Sequence, residues 1–89
     1  MAHHADAEKR LRQSEKARMR NKSYRTRMRN QIKKLNEIIA DGDHAAAATE
    51  LAATVSVIQG IAQKGVIHGR QADRRVSRLT QAVNALRNG

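Results

Sequence analysis

The residues in this chain that could do chemistry are its cations. Lys16, Arg18, Arg20, Lys22, Arg25, Arg27, Arg29, Lys33 and Lys34 follow one another with no Asp or Glu between the first and the last. Bases at this density catalyse nothing by themselves; they neutralise a polyanion. A solvated helix face normally mixes signs, with Glu and Lys paired four residues apart. Here Arg18–Lys22 and Arg25–Arg29 place like charges at that spacing, which opposes helix formation until a partner compensates. Phosphates supply that compensation, and the counterions they release add to affinity. Arginine outnumbers lysine in the run, which suits forked contacts to phosphate oxygens. Upstream stand Lys9, Arg10 and Ser14. Downstream a second basic group contains Lys64, His68, Arg70, Arg74, Arg75, Ser77 and Arg78.

Other residue types offer little. Cysteine is absent, so there is no disulfide, thiol nucleophile or thiolate metal site. His3 and His4 are adjacent and point apart on a helix, with no third ligand near, so no metal is expected. His68 has no Asp, Ser or Cys beside it and reads as a turn residue or a polyanion contact. Asp41-Gly42-Asp43 lacks the spaced oxygens and closing acid of a calcium loop. Glu15 and Glu37 are isolated carboxylates rather than an acid/base pair. No catalytic residue, cofactor or small-molecule substrate is expected, and the chain does not read as an enzyme.

The elements that must carry these cations follow from two breaks. The chain has 89 residues, a formal charge of +10, no proline, and Tyr24 as its single aromatic. Without proline, and rich in Ala, Arg and Gln, it is free to be helical throughout. At Asp41-Gly42-Asp43, Gly42 suits the left-handed end of one helix and Asp43 the cap of the next. Gly65 to Gly69 bound a second turn around Val66, Ile67 and His68. Three helices result, at about 6–40, 43–63 and 69–87. The first 40 residues carry 12 Lys/Arg and 4 Asp/Glu; residues 41–63 carry no base and 3 acids; the remainder carries 6 bases and 1 acid. The middle segment is therefore a packing element between two basic ones.

Each segment shows an apolar stripe at helical spacing: Tyr24, Met28, Ile32, Leu35 and Ile39, then Leu51, Val55, Ile58 and Ala62, then Ala72, Val76, Leu79, Val83 and Leu86. On a helical wheel the first stripe spans about 80° and the bases avoid it. Arg70, Arg74, Arg75 and Arg78 lie opposite the third stripe. Single-faced helices joined by short turns bury one another as a bundle. The fold class is therefore all-α, a three-helix bundle. The first helix would be about 50 Å long at 1.5 Å per residue, more than its partners can cover. Its basic N-terminal half should project. Met19 and Met28 read as shoulder and core packing. Asp6 and Glu8 read as caps that offset the positive end of the first helix.

The bases leave nucleic acid or an anionic membrane surface as partner classes. No apolar run is of bilayer-spanning length, and no segment near the start reads as a secretory signal. A membrane-surface helix would want Trp or Phe on its apolar face, and here that face is needed by the bundle. A DNA-binding module would want a compact recognition face with Asn or Gln among apolar supports, which no segment shows.

The stretch SEKARMRNKSYRTRMRN, from Ser14 to Asn30, with Ile32-Lys33-Lys34 after it, resembles the N-terminal signature of the bacterial small-subunit ribosomal protein S-twenty family. KGVIHGRQADRRVSRL, from Lys64 to Leu79, resembles its C-terminal signature. Length, breaks and charge layout agree over nearly the whole chain. The resemblance implies one three-helix RNA-binding domain over residues 1–89, with no catalytic activity. It implies direct contact with small-subunit (16S-type) ribosomal RNA, in the 5′ domain and the long penultimate helix. It implies a place in the ribosome, in the bacterial cytoplasm or the plastid stroma. By position it implies RNA backbone contacts from Ser14, Lys16, Arg18, Arg20, Asn21, Lys22, Arg29, Lys33 and Lys34. It matches Lys64, Gly65, Ile67 and His68 to the family's second turn, and Arg74, Arg75, Ser77 and Arg78 to the basic face of its last helix. Where the family usually has Lys-Ser and a further base near its start, this chain has Ala5, Asp6 and Glu8, and where it usually has basic residues later, this chain has Gly69 and Val76. A weaker hold on RNA is expected there.

Overall fold

The computed structural model describes residues 4–88 and contains three helices: α1 His4–Asp41, α2 His44–Gln63 and α3 Gly69–Asn88. The two breaks fall where the sequence puts them, and the helix ends lie within two residues of expectation. His3 and the side chain of His4 fall outside the described residues, and with them the paired-histidine reading.

Both turns are built by local chemistry. Gly42 takes φ +79° and its amide donates to Ile39 O at 3.0 Å, closing α1. Asp43 is extended, and its carboxylate accepts from Ala46 N at 3.1 Å, as an N-cap should. At the second turn Gly65 takes φ +78°. Its amide donates to Ala62 O at 2.9 Å, and the Val66 amide donates to Ile61 O at 3.3 Å. This pair of bonds is a Schellman motif. The apolar residues it brings together, Val66 and Ile61, are both buried. Val66 and Ile67 are therefore core residues, not merely turn residues. His68 then caps α3: its Nδ1 accepts from Arg70 N at 3.1 Å, and its carbonyl accepts from Ala72 N at 3.1 Å.

α2 lies against both neighbours along its length, whereas α1 and α3 meet only briefly. The core consists of Met28 and Leu35 from α1, Ala47, Ile58 and Ile61 from α2, Val66 and Ile67 from the turn, and Ala72, Leu79 and Val83 from α3. The stripes of α1 and α3 sit as expected. That of α2 is rotated: Ala47, Leu51, Thr54, Ile58 and Ile61 face inward, while Val55 and Ala62 flank. Thr54 is fully buried because its hydroxyl is satisfied, donating to Glu50 O at 2.8 Å. A polar residue on the inward stripe is what displaced the pattern. α2 is also long and apolar enough to match a bilayer span, contrary to the sequence reading. Its apolarity is largely alanine, and its larger side chains serve the bundle.

The molecule measures 65 × 20 × 14 Å. Only the C-terminal part of α1 packs on partners. From Ala5 to Lys16 every residue is exposed, and Leu11 and Met19 are 62% and 70% exposed. Met19 is thus not a packing residue: it precedes the first contact with α2. The N-terminal half of α1 projects as expected. Helix α1 already begins at His4, so Asp6 lies inside the first turn, where its charge offsets the dipole, and is not a cap.

Three outcomes follow for the free protein. Leu35→Ala or Ile58→Ala should cost about 2–5 kcal/mol in urea unfolding, the range for fully buried large-to-small changes, whereas Met19→Ala should cost nothing measurable. His68→Ala should cost roughly 1 kcal/mol through the lost cap, and His68→Asn should restore most of it. Amide exchange across residues 8–20 should show little protection without RNA, since an isolated helical turn has no tertiary support.

Candidate nucleic-acid interface

The helices place the cations in three zones. On the projecting half of α1, Lys9, Arg10, Ser14, Lys16, Arg18 and Arg20 are exposed on all sides of the cylinder. Lys9, Arg12, Gln13 and Lys16 together line a shallow cleft of about 300 Å³ there. Arg12 and Gln13 were not among the sequence candidates, although Arg12 continues the same i,i+3/i+4 row as Lys9 and Lys16. Over the bundle, Lys22, Arg27, Arg29, Lys33 and Lys34 are exposed along α1, and Arg70, Arg74, Ser77 and Arg78 along α3. Asn21 and Arg75 are half-buried. For Arg75 this corrects the wheel: it stands three residues after Ala72 and four before Leu79, at the stripe's edge rather than opposite it. Arg87, in the last turn of α3, is a further exposed base that the sequence reading left out.

Several of these groups also hold the fold. Arg25 reaches across to the second turn and donates from Nη2 to Val66 O at 3.3 Å. It ties α1 to the α2–α3 connection, so it is not purely an outward charge. Lys64 sits over the Tyr24 ring at 5.3 Å from Nζ to the centroid, a cation–π arrangement. Arg20 joins them at a cleft of about 180 Å³. His68, an exposed residue, has its Nδ1 engaged in the cap, which leaves Nε2 as its remaining ring nitrogen.

A polar cluster crosses the α1–α2 interface. Gln31 Nε2 donates to Glu50 Oε1 at 2.7 Å and to Thr54 Oγ1 at 3.1 Å. Lys34 Nζ stands 3.4 Å from the same Glu50 oxygen. The Gln31 hydrogen bond holds the Glu50 carboxyl below the usual carboxylate range, partial burial pushes the other way, and Lys34 lowers it further. Neither Gln31 nor Glu50 was singled out from sequence, because an isolated Gln and Glu 19 positions apart carry no local signal.

Between α1 and α3, where the helices scarcely touch, lies an open groove of about 460 Å³ lined by Arg29, Ile32, Lys33, Asn36, Glu37, Ala40 and Arg75. Among the described residues no group of three or more His, Cys, Asp or Glu side chains could hold a metal. The arrangement is a long cation-bearing rod on a small apolar bundle.

The model of the family described as "Ribosomal protein S20" matches residues 2–84. The chain belongs to the ribosomal protein S20 family. Its relatives include the small ribosomal subunit protein bS20 of Desulfotalea psychrophila, 51% identical over 97% of both chains. That of Syntrophobacter fumaroxidans is 48% identical over 97% of this chain and all of its own length. That of Geotalea daltonii is also 48% identical, over 97% of this chain and 99% of its own. The S20 resemblance read from the two signature stretches is thereby established over nearly the whole chain. It extends through α2, which neither signature contains.

The Glu50 cluster makes a pH prediction. A carboxyl lowered on folding stabilises the protein above the unfolded value and ceases to do so as pH falls through the folded one. Wild-type protein should therefore lose more melting temperature between about pH 6 and about pH 3 than Glu50→Gln does, the interval that brackets an ordinary Glu. Equal losses in the two proteins would mean that Glu50 takes no part.

Proposed function

We propose that this chain is a structural constituent of the small ribosomal subunit that binds the subunit's RNA directly through phosphate contacts. The observation that carries this reading is the acid-free row of bases on α1. The row runs from the bundle out along a helix with nothing of its own to pack on. A rod about 57 Å long at 1.5 Å per residue spans many phosphates, and each one neutralised releases counterions. Membership of the S20 family supports the assignment, since the relatives are small-subunit proteins by name. The protein's role would be to hold RNA segments together during folding and assembly of the subunit. The RNA regions proposed are the 5′ domain and the long penultimate helix. The proposed setting is the ribosome, in a bacterial cytoplasm or a plastid stroma.

The mechanism needs no catalysis. The bundle fixes the direction of α1 and holds the α3 bases beside it. RNA then orders the projecting half at an entropic cost repaid by phosphate contacts. One aromatic, Tyr24, already covered by Lys64, leaves little base stacking. Shape and backbone should therefore count for more than sequence over most of the surface.

Two measurements test the proposal. The protein should co-sediment with small ribosomal subunits in preference to duplex DNA or anionic vesicles. Affinity for small-subunit RNA should fall with salt, by a log–log slope of about −0.7 to −0.9 per neutralised phosphate. Changing Arg18, Arg27 and Arg29 together to Ala should flatten that slope by roughly 2 and leave melting of the free protein unchanged. Arg25→Ala should lower both affinity and melting temperature, because it also loses the Val66 bond. A slope near zero for the wild type would overturn the reading.

A further inference from the structure

The groove between α1 and α3 is unlike the rest of the basic surface. Its floor is apolar, formed by Ile32 and Ala40 and continued by Leu79 in an adjoining cleft that Arg75 and Arg78 also line. Cations stand along it: Arg29, Lys33 and Arg75 in the groove and Arg78 in the adjoining cleft. Toward the end of α1, Asn36 and Glu37 line the same groove. Glu37 has no ion-pair partner among the described residues although bases share its groove. A backbone phosphate alone would use the cations but not the apolar floor, and it would be repelled by the carboxylate.

Arg75 supplies the second observation. Its Nε is shut off from solvent and has no hydrogen-bond partner among the described residues. An atom closed to solvent cannot itself take a ligand from the groove; its burial fixes where the side chain sits. The side chain is held half-buried at the edge of the groove, where an incoming acceptor could be taken up by the guanidinium fork.

We propose that this groove receives one unpaired guanosine of the bound RNA; the proposal rests on the RNA-binding reading above. The base would lie on the apolar floor. Its Watson–Crick edge offers two adjacent N–H donors, from N1 and the 2-amino group, which suit the acceptor-only carboxylate of Glu37. Asn36 can donate or accept beside it. The fork of Arg75 would take an acceptor of the base or its ribose, and Arg29, Lys33 and Arg78 the flanking phosphates. Proteins read RNA sequence mainly at such extruded bases rather than within the helix. The groove would thus set one point of register on a surface that otherwise reads shape.

The test uses the full chain and four RNA duplexes at fixed salt: fully paired, or with a single bulged guanosine, bulged adenosine or bulged abasic residue. The guanosine bulge should bind about tenfold more tightly than the paired duplex, the effect of hydrogen bonds to one charged group. The abasic bulge should bind like the paired duplex, and adenosine should fall between. Glu37→Gln, at an exposed position, should erase the preference for guanosine over adenosine. Arg75→Ala should erase the preference for any bulge, and Arg18→Ala should weaken all four duplexes alike. Melting curves of the free variants verify that each is folded. Equal affinity for the four duplexes, or a guanosine preference that survives Glu37→Gln, would overturn the proposal. If small-subunit RNA is bound with a steep salt dependence while the bulge has no effect, only the groove assignment falls. If that RNA is not bound at all, the RNA-binding reading falls with it.

Discussion

The constraint on which this molecule turns is the repulsion among its own cations. A net charge of +10 on 89 residues cannot be neutralised internally, because only 8 acids are present and 3 of them lie in or beside α2. The fold answers by geometry. It gathers its apolar core at one end of a molecule 65 × 20 × 14 Å and spreads the bases along the long axis. At physiological ionic strength the Debye length is about 8 Å, so bases far apart on the rod barely sense one another. The local i,i+4 repulsions remain.

Helix α2 makes this division workable. It is nearly free of charge, so it can sit against both basic helices without adding to the repulsion. Its one carboxylate within the helix, Glu50, meets Lys34 and Gln31 at the α1 interface. Because α2 takes the middle place, α1 and α3 are held side by side but apart, and the open groove between them follows directly. A bundle with three equal interfaces would have closed it. The Schellman turn at Gly65 matters for the same reason: it buries Val66 and Ile67 beneath the connection and gives Arg25 a carbonyl to hold.

Some of the bases proposed to bind RNA also hold the fold. Arg25, Lys64 and His68 each have one interaction inside the protein and a surface toward solvent. In a protein with so small a core, recruiting surface cations as ties is effective, because each tie also fixes the position of an exposed charged group. The projecting half of α1 has no tertiary packing from Ala5 to Lys16, where every residue is exposed.

The sequence by itself determined the number of helices, both breaks, the inward stripes of α1 and α3 and the projection of α1. These depend on composition and on periodicities of three to four residues, which are local in the chain. It also carried the family, through two signature stretches. Tertiary structure decided what depends on residues distant in sequence. Thr54 belongs in the core only because Gln31 and the Glu50 carbonyl satisfy its hydroxyl. Met19 is bare because α2 is too short to reach it. Arg75 is half-buried because it stands at the edge of the inward stripe of α3, facing Ile32 of α1 across the groove. The groove exists because α1 and α3 scarcely touch. No local pattern encodes such facts, since each follows from the angle and spacing at which one helix meets another.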